Sequence, residues 1–144
     1  LRDLTCLSDA ETERAVAHAC AVRGWPVTEY LDCFCADLAG TVAELHALGG
    51  VNDSLDPGNV TLAAEVTDFE FLYVPGIPLP DGETTRLIGP RREKELVYAM
   101  EIVAALAARL GHGPWALQRQ LLARYLESGG TERAAVARLG SDIA

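Results

Sequence analysis

Apolar residues recur at three- and four-residue spacing through two long stretches of the chain, and between them the pattern breaks. Leu31, Phe34, Cys35, Leu38, Val42 and Leu45 fall on one face of a helix. Leu96, Met100, Val103, Ala107 and Leu110 make a second such stripe. The boundaries are written in capping and breaking residues. Ser8-Asp9-Ala10-Glu11 reads as a capping box, which predicts a helix over 9–23 stopping at Gly24. Trp25-Pro26 breaks the chain, Thr28 is the expected cap of the second helix, and Gly49-Gly50 ends it. A third helix is expected from Arg91 to Gly111, a fourth from Pro114 through Glu127, and a short fifth capped by Thr131 and closing at Gly140.

The segment between the stripes has a different character. "VNDSLDPGNVTL" is rich in turn formers and "EVTDFEFLYV" in β-branched and aromatic residues, so two short strands are expected over 60–62 and 65–67 around a tight turn at Ala63-Ala64. The loop over 74–90 carries too many prolines for a helix or a central strand. The resulting fold class is mainly α with a small β-hairpin. It forms one domain over 1–144: a loop-and-hairpin unit at 46–70, the Pro-rich loop at 74–90 and C-terminal helices at 91–140.

Composition narrows the functions open to such a fold. With 144 residues, 49% of them hydrophobic and 23% charged, the chain is long enough for one packed core. The net charge of −9 comes with no basic run, which argues against a nucleic-acid partner. Apolar stretches are short and interrupted by charge, so no membrane span is expected. Neither a secretory signal nor an initiator Met is visible, and the opening at Leu1 reads as part of something longer. Cys6, Cys20, Cys33 and Cys35 read as small buried hydrophobes of a reducing, cytoplasmic setting. Cys33 and Cys35 point to different helix faces, a poor geometry for a disulfide or for zinc.

The chemistry concentrates in "LHALGGVNDSLDPGNVTLAAEVTDFE". Asn59 closes a polar turn and Asp68 follows nine positions later at the end of a short strand. An amide and a carboxylate on the two arms of a hairpin can converge on a hard cation, and magnesium takes oxygen ligands of this kind. The segment resembles the catalytic loop and metal motif of kinase-like folds, H-x-D-x-x-x-x-N followed by D-F-G, in the form carried by the aminoglycoside-phosphotransferase group. The Asn-to-Asp interval and the "TDF" reading are also similar to the selenoprotein O group, kinase-like proteins that transfer AMP. The resemblance implies the C-terminal lobe of a protein-kinase-like fold, with the N-terminal lobe absent from this chain. It implies Mg2+ and ATP as cofactors, with Asn59 and Asp68 holding metal and nucleotide. The function it implies is a transferase moving a phosphoryl or adenylyl group from ATP, completed by a missing lobe or a partner chain. The alternative is a non-catalytic pseudokinase-like module that binds a peptide or protein.

The chain departs from the family pattern at the base. Ser54 occupies the place of the catalytic-loop Asp and Asn52 that of the His, which leaves Asp53 or Asp56 as candidate catalytic bases. No Gly-rich loop precedes this segment, and Lys94, the one lysine, follows the metal motif. Phe69 and Glu70 take the positions after the metal carboxylate. His46 is read as a helix-end residue that packs or hydrogen-bonds locally, and His18 and His112 as surface residues. Arg91-Arg92 are read as an exposed face pairing with Glu95, or as contacts for an acidic substrate. Trp25, Trp115 and Tyr125 are expected in the core or at an interface.

Overall fold

The structure, a computed structural model, describes residues 1–53, 55–68, 72–73 and 88–143. Ser54, Phe69, Glu70 and positions 74–87 of the Pro-rich loop lie outside the described residues. The described chain is mainly helical with a small two-stranded antiparallel sheet. Its elements are α1 (Asp9–Arg23), α2 (Tyr30–Ala47), β1 (Val51–Asn52), β2 (Leu72–Tyr73), α3 (Ile88–Arg109), α4 (Pro114–Glu127) and α5 (Arg133–Asp142).

Helix α1 begins as its sequence dictates. The Ser8 side chain accepts the Glu11 N–H while Glu11 accepts the Ser8 N–H, and Gly24 ends the helix at φ 71°. Its anchorage comes from the far end of the chain. Arg109, in the last turn of α3, donates to the Leu7 carbonyl and the Thr12 hydroxyl and pairs with Asp9 at 2.9 Å.

The core lies where α2, α3 and α4 pack together. Phe34, Cys35 and Leu38 of α2 meet Val103 and Ala107 of α3 and Leu121 and Tyr125 of α4, all fully or almost fully buried. The apolar stripes of α2 and α3 therefore do what their spacing predicts.

Several boundaries differ from expectation. Thr28 does not cap α2, because Val27–Glu29 form a 3-10 turn after Pro26 and the helix starts at Tyr30 with no side-chain cap. Helix α3 starts at Ile88, three residues early, with Pro90 inside the first turn, where the missing N–H has no helical partner to lose. Thr131 does not cap α5. Its N–H goes to the Tyr125 hydroxyl, and the helix runs past Gly140 to Asp142. Two of the cysteines, Cys20 and Cys35, are buried, but Cys6 is exposed and Cys33 half-buried. Trp115 is 54% exposed and so is no core residue of the described chain.

The expected hairpin is reduced to one bridge, Val60 with Val66, with Ala64 turning the chain at φ 60°. The two-stranded sheet is instead β1 with β2, in the register Val51–Tyr73 and Asn52–Leu72. Gly50 allows this pairing. A Cβ there would come within 2.7 Å of the Tyr73 carbonyl oxygen.

Candidate functional site: the loop between α2 and the Val60–Val66 bridge

Helix α2 delivers the chain into the candidate loop through Gly49, at φ 85°. Arg92 of α3 fixes the exit, donating to the Gly49 carbonyl at 2.6 Å and the Gly50 carbonyl at 3.3 Å. Both carbonyls lie past the end of α2, so the guanidinium anchors the turn that follows the helix rather than the helix itself. Arg92 also lies 3.5 Å from Glu132, and Arg91 pairs with Asp53 at 2.9 Å. The expected partner of these arginines, Glu95, points elsewhere.

Asn59 and Asp68 are brought to adjacent ends of the bridged segment. The Thr67 N–H donates to the Asn59 carbonyl at 2.8 Å and the Thr67 hydroxyl donates to the same oxygen at 3.2 Å. The Asn52 side-chain amide donates to the Asp68 carbonyl at 3.0 Å. The amide of Asn59 donates to Asp56 Oδ2 at 3.2 Å, and Asp56 Oδ1 accepts the Gly58 N–H at 2.6 Å. Because a carboxylate accepts only N–H from an amide, the Asp56 contact fixes which end of the Asn59 amide is nitrogen and puts its oxygen on the opposite side. Asn52, Asp53, Asp56, Asn59 and Asp68 thus share one corner of the molecule. Asn52 is buried and the other four are half-buried.

The donor set fits a hard cation in kind, with an amide oxygen from Asn59 and a carboxylate from Asp68. Among the described residues no group of three or more His, Cys, Asp and Glu side chains is placed to hold a metal. A two-ligand site would take its remaining oxygens from water and from phosphate.

Beneath this corner lies a buried polar chain that the sequence did not reveal. His46 Nε2 is 2.7 Å from Glu95 Oε2, and His46 Nδ1 is 2.8 Å from the Tyr125 hydroxyl. Glu95 Oε1 accepts the Asn52 N–H at 3.2 Å. Burial pushes the Glu95 carboxyl above its ordinary range, opposed by the hydrogen bonds from His46 and the Asn52 amide. His46 is therefore a bridge to residues 49 and 79 positions away, not a local helix-end contact. One sequence signal marks Glu95. It shares the buried face with Ala99, Ile102 and Leu106 at helical spacing, an odd place for a lone acid.

A cavity of about 490 Å3 lies elsewhere, between α1, the 27–32 segment and the α3–α4 turn, with Val16, Leu31, Leu110 and Leu117 in its walls. No residue of the loop corner lines it. No helix among the described residues is long and apolar enough to cross a membrane. The chain matches no protein-family model, no curated protein and no solved structure.

Proposed function

We propose that the chain is the magnesium-nucleotide-binding lobe of a kinase-like transferase, with Asn59 and Asp68 as its metal-holding residues and ATP as the donor of a phosphoryl or adenylyl group. The observation that carries this reading is the shared corner: three hydrogen bonds, two from Thr67 to the Asn59 carbonyl and one from Asn52 to the Asp68 carbonyl, hold the backbone at the two residues in place. Magnesium, if held by the Asn59 amide oxygen and the Asp68 carboxylate, would supply charge neutralisation for a polyphosphate. The protein's own part is orientation. Asp56 turns the Asn59 amide, and Asn52 fixes the backbone that carries Asp68. Both oxygens of Asp56 are engaged in the loop, so Asp53, 28% exposed beside Arg91, is the better placed of the two candidate bases. A grip on the α- and β-phosphates and a second lobe belong, in this reading, to a further segment or a partner chain.

Manganese substitutes for magnesium at oxygen ligands and broadens nearby NMR signals, which gives a local test. With ATP present, manganese should broaden the amide signals of Asn59 and Asp68 in the wild type and spare them in Asp68→Ala. Broadening that ignores both residues, or that survives Asp68→Ala, overturns the assignment.

One observation favours the second reading, a pseudokinase-like module that binds a peptide or protein partner. Each candidate base is already engaged, Asp53 by Arg91 and Asp56 by Gly58 and Asn59. Metal and nucleotide binding without any transfer to water, peptide or protein acceptors would support that alternative.

A further inference from the structure

Tyr125, His46 and Glu95 are each at most 3% exposed, so none of them can meet a substrate. Their hydrogen bonds nevertheless form a closed account. The Tyr125 oxygen accepts two backbone N–H groups, from Thr131 and from Glu132, both at 3.1 Å. A phenolic oxygen has two lone pairs and one hydrogen. With both lone pairs used, its hydrogen goes to the remaining neighbour, His46 Nδ1. Nδ1 is then an acceptor, the ring proton sits on Nε2, and that proton points at Glu95 Oε2. Glu95 Oε1 takes the Asn52 N–H. The tautomer of His46 is fixed from behind by Tyr125, and Glu95 accepts at both oxygens.

We propose that Glu95, oriented by His46 and Tyr125, is a positioning residue for the metal corner: it holds the Asn52 backbone so that the Asn52 side chain fixes the backbone of Asp68. This inference rests on the function proposed above. The chemistry selects the residue type. Two donors, the Asn52 N–H and the His46 Nε2–H, converge on one side chain, and a carboxylate answers both with two acceptor oxygens. Glutamine has the same shape but one acceptor. Its amide nitrogen must face either the Asn52 N–H or the Nε2–H of His46, so one bond of the chain is lost or the imidazole switches tautomer. Groups that orient a metal's ligands from behind commonly govern affinity without touching the ion.

The test begins with the wild type. Long-range nitrogen–proton spectra of the histidines should show His46 as a neutral ring protonated at Nε2. A ring protonated at Nδ1, or at both nitrogens at neutral pH, overturns the account. Glu95→Gln should then speed hydrogen exchange at the Asn52 backbone and side-chain amides and weaken manganese-ATP binding at Asp68 by about 10–100-fold. Val16→Ala, a buried core change in α1, which lends no residue to the polar chain, serves as control: it should lower stability without this loss of affinity. An equal loss in Val16→Ala, or unchanged Asn52 exchange in Glu95→Gln, sinks the positioning role. Asn52→Ala keeps the question decidable if Glu95→Gln fails to fold. It should weaken binding likewise while leaving the His46 tautomer as in the wild type, and undiminished binding overturns the proposal. A wild type that binds no manganese-ATP removes the proposed function, whereas the Asn52 exchange data still decide whether Glu95 positions Asp68.

Discussion

Two polar networks meet at Asn52, and they differ in what surrounds them. On one side His46, Glu95 and Tyr125 are buried under the helices, with partners drawn from α2, α3 and α4 and from the turn before α5. On the other, Asp53, Asp56 and Asn59 are half-buried, with Asp53 paired to Arg91 and Asp56 bonded to Gly58 and Asn59. Water can replace a lost partner in the second network but not at His46 and Glu95 in the first. An unmet buried donor costs about 1–3 kcal/mol, whereas an accessible ion pair is worth about 0–1 kcal/mol. The buried set is therefore committed to one geometry, and the open set retains room to exchange its partners for a ligand's oxygens.

The comparison is sharpest at Tyr125. Removing its hydroxyl orphans the Thr131 and Glu132 N–H groups and leaves His46 Nδ1 without its donor. Tyr125→Phe should lower stability by about 3 kcal/mol in urea unfolding, although no apolar contact is lost. A loss near zero would mean that water reaches this oxygen, and the contrast between the networks would dissolve.

A smaller effect comes from pH. Glu95 has a folded-state pKa raised above its ordinary value of 4.5, chiefly by burial. The native state then holds this proton more tightly than the unfolded chain. The associated stabilisation is complete below 4.5 and fades as pH rises through the raised value. Relative to Glu95→Gln, the wild type should accordingly lose ground as unfolding is measured from acid toward neutral pH. A gap that widens with pH would show that the bonds from His46 and Asn52 outweigh burial.

The least effect belongs to the open network. Asp53→Asn breaks the pair with Arg91, yet it should change stability by no more than about 1 kcal/mol, read from the same unfolding curves. A large loss would place Asp53 among the structural residues and weaken its standing as a base.

How much of this was legible in the sequence follows from the range of the signals. The Ser8–Glu11 box and the stripes of α2 and α3 are local, and they were readable because capping and helical periodicity act over three or four residues. The β1–β2 pair was not, since two-residue strands 21 positions apart carry no period. Thr28 and Thr131 misled because a hydroxyl caps only when the backbone presents an N–H to it. At Thr28 a 3-10 turn intervened, and at Thr131 the geometry was set by Tyr125. The nearness of Asn59 to Asp68 was legible from spacing alone. Their support by Asn52 and Glu95 was not, because a hydrogen bond between residues 43 apart leaves only the faint mark of an acid on an apolar face.

The grip of Arg92 on Gly50 has a consequence best put in the language of polymers. It ties together two points 42 residues apart in the chain, just where β1 leaves for the loop and α3 returns from it. Loop closure costs entropy that grows only with the logarithm of the length enclosed, so the clasp at Gly49 and Gly50 joins its two ends at a cost that the number of residues between them barely changes.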